Sequence, residues 1–151
     1  MIGQYCGGII PAPVGDRKNA TELLSASESL PGTVKAHLEG FAFHDALTMV
    51  WVFISMANKY VAHKKPWSLA KLAANHDNAE IAAEAQRELC NCLSDLAVSL
   101  CVIGRCLAPL LPSTSSRLLR QLGIDQYQGG FCGDVAGNVI NNDQVLFPKL
   151  Q

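Results

Sequence analysis

Two long stripes of apolar residues, recurring at intervals of three and four, constrain the fold more than any other feature of this chain. Such spacing places the residues on one face of an α-helix, because the helix turns once every 3.6 residues. Helices of this length bury an apolar face against other helices here, since no segment alternates as strands do. The stripes consist of Phe43, Ala46, Leu47, Val50, Trp51, Ile54, Ala57 and Val61, and of Ile81, Ala85, Leu89, Leu93, Leu96, Leu100, Ile103 and Leu107.

Proline and glycine divide the N-terminal part of the chain into shorter segments. Residues 1–6 resemble the last turn of a helix, and residues 7–18, which are rich in Gly and Pro, predict a connection. A short helix is expected to end near Ser29. A second helix is expected to begin at Pro31 and to reach about Glu39, because proline suits the first turn of a helix.

The later helices carry clearer end signals. Asp77 or Asn78 is placed to cap the second long helix, because short polar side chains accept hydrogen bonds from the first free backbone N–H groups. Ser113 or Thr114 is placed in the same way to cap a last helix, and Gly123 is placed to close it.

These elements predict the fold class and the domain organisation. The fold is expected to be all-α, a bundle of about five helices with an irregular C-terminal tail. Residues 1–18 are interpreted as the end of a truncated helix and a connection, residues 19–123 as the bundle, and residues 124–151 as the tail.

Composition excludes several classes of protein. The 151 residues, 49% of them hydrophobic, suffice for one domain with a buried core. With 12 basic residues against 13 acidic ones, the chain lacks the overall positive charge typical of nucleic-acid binders. The apolar run 46–57 is too short to span a bilayer, and the run 93–111 contains Asp95 and Arg105, so no membrane segment is predicted.

The six cysteines are interpreted as structural thiols. Their spacing contains no C-x-x-C pair, so no metal site is predicted. Four of them lie within the second apolar helix, where a free cysteine behaves as a small hydrophobic residue. Reduced thiols, and an N-terminus without the basic flank and apolar stretch of a secretory signal, favour the cytoplasm.

The sequence contains no recognisable catalytic centre. It has no glycine-rich phosphate loop, and no two of its four histidines stand three or four residues apart. No catalytic residue and no cofactor site is therefore predicted, and the chain alone is not expected to catalyse a reaction.

A local excess of positive charge lies at the end of the first long helix. No acidic residue occurs between Asp45 and Asp77. Lysines beside an aromatic ring are the combination that single-stranded nucleic acid uses, with ammonium groups on phosphates and a ring beneath a base. The alternative is that the lysines compensate the helix dipole and that the tryptophan fills the core. The residues concerned are Lys59, Lys64, Lys65 and Lys71, with Tyr60 and Trp67.

The same stretch resembles a known family. Residues 57–61 read A-N-K-Y-V and residues 65–71 read K-P-W-S-L-A-K, which resembles the signature of the anticodon-binding domain of methionyl-tRNA synthetase. Further segments are similar to that domain in the same order. They are Y-C-G-G-I-I-P at 5–11, F-H-D-A-L at 43–47, L-A-P-L-L-P at 107–112, L-R-Q-L-G at 119–123 and L-F-P-K-L at 146–150.

The resemblance implies a fold, a partner and a set of site residues. The fold is the anticodon-binding bundle of class I synthetases, and the partner is the anticodon arm of tRNA(Met), with its CAU anticodon. Trp67 is implied to stack on an anticodon base. Asn58 and Lys59 are expected as secondary contacts, and Lys64 and Lys65 as contacts to phosphates. The ATP and methionine sites belong to the family's catalytic domain, a second expected partner that this chain does not contain.

The resemblance also leaves a rival interpretation open. The family's Asn and Arg that hydrogen-bond the anticodon lie upstream of the position of Met1, so the chain is expected to be part of a longer synthetase or a stand-alone remnant. Without that upstream helix an apolar groove is expected, which self-association would fill. The rival function is therefore a helical protein-interaction scaffold that has lost RNA binding.

Overall fold

A computed structural model describes residues 1–15, 22–75, 78–124 and 135–141 of the chain. In these residues the secondary structure is helical apart from one isolated antiparallel bridge between Ile9 and Val139. The all-α bundle predicted from the sequence is confirmed. The helices are α1 (Ile2–Tyr5), α2 (Glu22–Glu39), α3 (Phe43–Lys64), α4 (Pro66–Ala73), α5 (Ala79–Leu107) and α6 (Pro112–Gln121).

The longest helix, α5, forms the centre of the bundle and packs against α2, α3, α4 and α6. Its apolar stripe is the second one seen in the sequence, and it buries residues such as Leu89, Leu93 and Ala97. By length and composition alone α5 could cross a membrane, but 67% of its most apolar window is buried inside the protein. Such burial is typical of the core helix of a bundle.

The helix α2 differs from the prediction of two helices that meet at Pro31. A single helix runs from Glu22 to Glu39 with Pro31 in its interior. The buried positions Leu23, Ser27, Leu30 and Val34 continue without a break on both sides of the proline. Packing of this one continuous stripe against α3 and α5 therefore outweighs the local cost of the missing backbone donor.

The ends of α5 and α6 follow the expected chemistry only in part. The side-chain oxygen of Asn78 accepts hydrogen bonds from the N–H groups of Glu80 and Ile81 at 3.1 and 3.2 Å, which confirms Asn78 as the cap of α5. The helix α6 begins instead at Pro112, without a capping side chain, so the prediction of Ser113 or Thr114 as its cap is wrong. Proline suits this first position because it has no N–H, which leaves one fewer free backbone donor at the start of the helix.

The segment after α1 pairs with residues 135–141 and closes one end of the bundle. The N–H of Ile10 donates to the carbonyl of Asn138 at 2.9 Å, and the N–H of Ile140 donates to that of Gly8 at 2.8 Å. Ile10 is buried by this pairing. Most of the predicted irregular tail lies outside the described residues.

The cysteines match their predicted structural role only in part. Cys6, Cys90, Cys92 and Cys106 are free thiols. Burial raises the pKa of the Cys92 and Cys106 thiols to about 11, so both stay protonated and unreactive near neutral pH. Cys101 is disulfide-bonded, which the expectation of reduced thiols did not include.

Candidate nucleic-acid interface

The turn between α3 and α4 is made by Lys65, whose backbone is left-handed with φ 47°. Its N–H donates to the carbonyl of Val61 at 3.0 Å and ends α3, while its own carbonyl accepts from Ser68 at 2.8 Å and begins α4. The conformation costs a non-glycine residue roughly 1–2 kcal/mol. Pro66 favours the break because it disfavours the α-helical conformation in the residue before it. Pro66 is also fully buried, so it anchors the turn.

Trp67 is the second residue of α4 and keeps 45% of its surface exposed. A tryptophan that filled the core would be buried, so the geometry favours a ring at the surface over the core alternative. Because its neighbour Pro66 is buried, the ring stands on a fixed backbone. A half-exposed indole on such a backbone offers a flat apolar face on which a base can stack.

The predicted lysines fall into two groups. Lys59, Lys65 and Lys71 are exposed. Lys64 is half-buried, and its ammonium lies 2.8 Å from a carboxylate oxygen of Glu88 on α5. The positive charge of Lys64 is thus already compensated within the protein.

Asn58 and Lys59 occupy different faces of α3. Consecutive residues point about 100° apart around a helix. Asn58 lines an apolar groove between α1, α3, α5 and α6, whereas Lys59 lies exposed on the outer surface. Trp67 is not among the residues that line this groove.

The groove is a cavity of about 340 Å³. Its walls are mostly apolar, with Asn58, Ser99 and Gln121 as the polar exceptions. Its apolar lining comprises Met1, Ile2, Ala57, Val61, Leu93, Leu96, Ala97, Leu100, Ile103, Leu118, Leu122 and Ile140.

Two polar contacts join the end of α3 to α5, and sequence reasoning missed both. The hydroxyl of Tyr60 donates to a carboxylate oxygen of Asp95 at 2.7 Å, and Asp95 is only 2% exposed. Burial, followed by the hydrogen bond to Asp95, raises the pKa of Tyr60 well above its usual value. The second contact is the pair of Lys64 and Glu88. Asp95, an acidic residue inside the apolar stretch of α5, was the one signal in the sequence for the first contact.

The arrangement offers binding chemistry. In the described ranges, no group of three or more His, Cys, Asp or Glu side chains could hold a metal ion. The site consists of an exposed ring, exposed ammonium groups and a rigid turn, which are the parts of a surface that binds an anionic, aromatic ligand.

Several proteins of one kind, methionine–tRNA ligases, are similar to nearly the whole of this chain. No protein-family model matches this chain. A methionine–tRNA ligase of Caldanaerobacter subterraneus subsp. tengcongensis is 29% identical over 158 residues, which cover 99% of this chain and 23% of that protein. Methionine–tRNA ligases of Clostridium perfringens and Streptococcus pneumoniae serotype 4 are 30% and 31% identical, with 99% of this chain and 22% of each relative covered. The chain thus spans less than a quarter of the length of these curated relatives.

Solved structures share the fold. The methionyl-tRNA synthetase of Mycobacterium tuberculosis, in complex with methionyl-adenylate, gives a TM-score of 0.84 at 22% identity, covering 99% of this chain and 28% of that chain. The free-state structure of that synthetase gives 0.81 at 22% identity, with 100% and 30% covered. At this level of identity the likeness shows the fold alone. Together with the relatives, it confirms the resemblance to one domain of a methionyl-tRNA synthetase and supports a synthetase-associated domain.

Proposed function

We propose that this chain is a tRNA anticodon-binding module of the methionyl-tRNA synthetase type. It stacks Trp67 on a base of the CAU anticodon arm of tRNA(Met) and holds nearby phosphates with exposed lysines. It thereby supports ligation of methionine to tRNA by a cytoplasmic catalytic domain, which provides the ATP and methionine sites. The observation that carries the proposal is the half-exposed indole of Trp67 beside the rigid turn at Lys65.

Base stacking on Trp67 and phosphate contacts by the lysines contribute to RNA affinity in different ways. A base stacked on an aromatic ring contributes roughly 1–3 kcal/mol and tolerates different bases. Phosphate contacts add affinity that salt weakens, without choosing between sequences. Lys65 and Lys59, both exposed, are the phosphate ligands in this proposal. The module therefore supplies position and affinity for the anticodon arm.

Fluorescence anisotropy with labelled anticodon stem-loops tests the proposal. Stem-loops with CAU and with GAU are titrated against the wild type and Trp67→Ala at two salt concentrations. We expect Trp67→Ala to weaken binding roughly 5- to 150-fold, the equivalent of one lost stacking contact. Trp51→Ala is the matched control, because Trp51 is 57% exposed and lies about 20 Å along α3 from the turn.

Each outcome of this titration has a distinct meaning. Binding that salt weakens, and that Trp67→Ala but not Trp51→Ala reduces, supports a stacking and phosphate platform. A preference for CAU over GAU adds base selection to that role. If the wild type does not bind either stem-loop at tens of micromolar, the chain alone is not an RNA-binding module.

A second candidate function is a helical protein-interaction scaffold, and the apolar groove favours it. Monomeric proteins rarely leave a large apolar patch uncovered. In this alternative the groove is covered by the catalytic domain or by a second copy of the chain. Sedimentation equilibrium across a range of protein concentrations tests self-association, which a monomer at every concentration would contradict.

A further inference from the structure

The face of α3 that is buried in the bundle changes from apolar to polar near its end. Its buried positions Ala46, Val50 and Phe53 are apolar. The same spacing of three and four continues to Tyr60 and Lys64, so these polar side chains lie on that same face. The last turn of α3 is therefore attached to α5 by two polar contacts, in addition to the packing of the Tyr60 ring against the core.

The two contacts are short and involve charged groups. Tyr60 donates to Asp95 at 2.7 Å, and Lys64 donates to Glu88 at 2.8 Å. Hydrogen bonds to ionised groups are stronger and more directional than neutral ones. In coiled coils a single polar residue at the helix interface fixes the register of the packed helices. Together the two contacts hold the end of α3 at one place on α5.

That end of α3 leads directly into the turn before Trp67. Lys65 follows the last residue of α3 directly, and its carbonyl begins the next helix. Helix α4 packs against α5, the helix that also carries Asp95 and Glu88. Movement of Lys64 away from α5 would therefore displace the turn and, two residues on, the indole.

We propose that Glu88 and Asp95 are positioning residues for Trp67. Through Lys64 and Tyr60 they hold the last turn of α3 on α5 and so fix the orientation of the stacking platform. This inference rests on the proposed function and refines it. It assigns Lys64 to the support of the turn, whereas the resemblance led us to expect Lys64 at a phosphate.

Exchange of the paired charges separates these two roles for Lys64. Under the proposal, Glu88→Gln and Lys64→Glu each weaken RNA binding at least 5-fold, and the double variant with Lys64→Glu and Glu88→Lys restores most of the affinity. If Lys64 binds a phosphate directly, Glu88→Gln leaves binding unchanged or tighter, and the double variant is not rescued. Either of these results would overturn the proposal.

Two further comparisons show whether Glu88→Gln weakens RNA binding through Trp67. Glu84→Gln is the charge-matched control, because it removes the same charge from α5 but breaks only the exposed pair with Arg87. It is expected to leave RNA binding unchanged. In a Trp67→Ala background, Glu88→Gln should cause no additional loss, since the platform that it positions is absent. An equal loss in both backgrounds would contradict a positioning role.

A measurement without RNA keeps the inference separate from the proposed function. In Trp51→Phe the indole of Trp67 is the only one left, because the chain has two tryptophans. Time-resolved anisotropy of this indole should show a larger nanosecond component after Glu88→Gln and not after Glu84→Gln. Unchanged anisotropy would overturn the positioning role even if RNA binds. Changed anisotropy in a protein that binds no RNA would retain it while refuting the proposed function.

Discussion

At the residue scale, the hydroxyl of Tyr60 makes one of the costliest contacts to remove. Its acceptor, Asp95, is buried, and hydrogen bonds to charged groups contribute about 1.5–3 kcal/mol. Tyr60→Phe is therefore expected to lower the free energy of unfolding by that amount in urea titrations at pH 8. A variant as stable as the wild type would show that the contact contributes little.

Tyr60 also makes the free energy of unfolding depend on pH, and the direction follows from its raised pKa. The pKa of Tyr60 is raised above 10.0 by burial and by the bond to Asp95, so the folded state favours the neutral phenol. The stabilisation that the neutral Tyr60 gives to the folded state is complete below pH 10 and is lost as the pH rises above 10. The stability difference between wild type and Tyr60→Phe should therefore narrow by about 1 kcal/mol between pH 8 and pH 11. Both proteins carry Cys92→Ala in this comparison, because the hydrogen bond between Tyr60 and Cys92 influences the pKa of Cys92 and is lost in Tyr60→Phe. Ionisation of Cys106 affects both proteins alike, so their difference isolates the tyrosine.

At the scale of elements, glycines in two helices should respond in opposite ways to alanine. Gly32 lies exposed inside α2, and a Cβ there meets nothing within 4 Å. Gly32→Ala should stabilise the protein by up to about 1 kcal/mol, because alanine is the better helix former.

At Gly104 in α5, a Cβ would lie 3.0 Å from the side chain of Leu119 in α6. Gly104→Ala should lower the melting temperature, and a rise would show that α6 can move away from α5.

The same elements show how far sequence reasoning reaches. The long helices α3 and α5 follow from periodicity, and Asn78 follows from capping chemistry, because both signals are local. The continuity of α2 through Pro31 does not follow, since it depends on a stripe that other helices cover. The sequence also shows that Trp67 follows the end of α3, because Pro66 interrupts the helix. The pairing of Lys64 with Glu88, 24 residues apart, was not, because it depends on which faces of α3 and α5 meet.

At the scale of the whole molecule, the apolar groove links the fold to association. Leu100 lines the groove and is 41% exposed, so a charge there disturbs the groove more than the core. If two copies associate through this groove, Leu100→Glu should convert the dimer to a monomer in sedimentation equilibrium while the helical circular dichroism stays unchanged. Ile81→Glu is the matched control, because Ile81 is an exposed residue of α5 outside the groove. A dimer that survives Leu100→Glu but not Ile81→Glu would place the interface elsewhere.

The charge distribution over the whole molecule determines how salt should act on RNA binding. With a net charge of −1, attraction to RNA in the proposed function comes from the local group of lysines and not from the molecule as a whole. Each phosphate contact to a single strand contributes about 0.7 to the slope of log affinity against log salt concentration. Lys65→Gln should therefore lower that slope by about 0.7. Lys35→Gln removes the same charge from an exposed lysine of α2 and should leave the slope unchanged. Equal changes in the two variants would mean that binding responds to total charge, and that the turn at Lys65 is not where the phosphate lies.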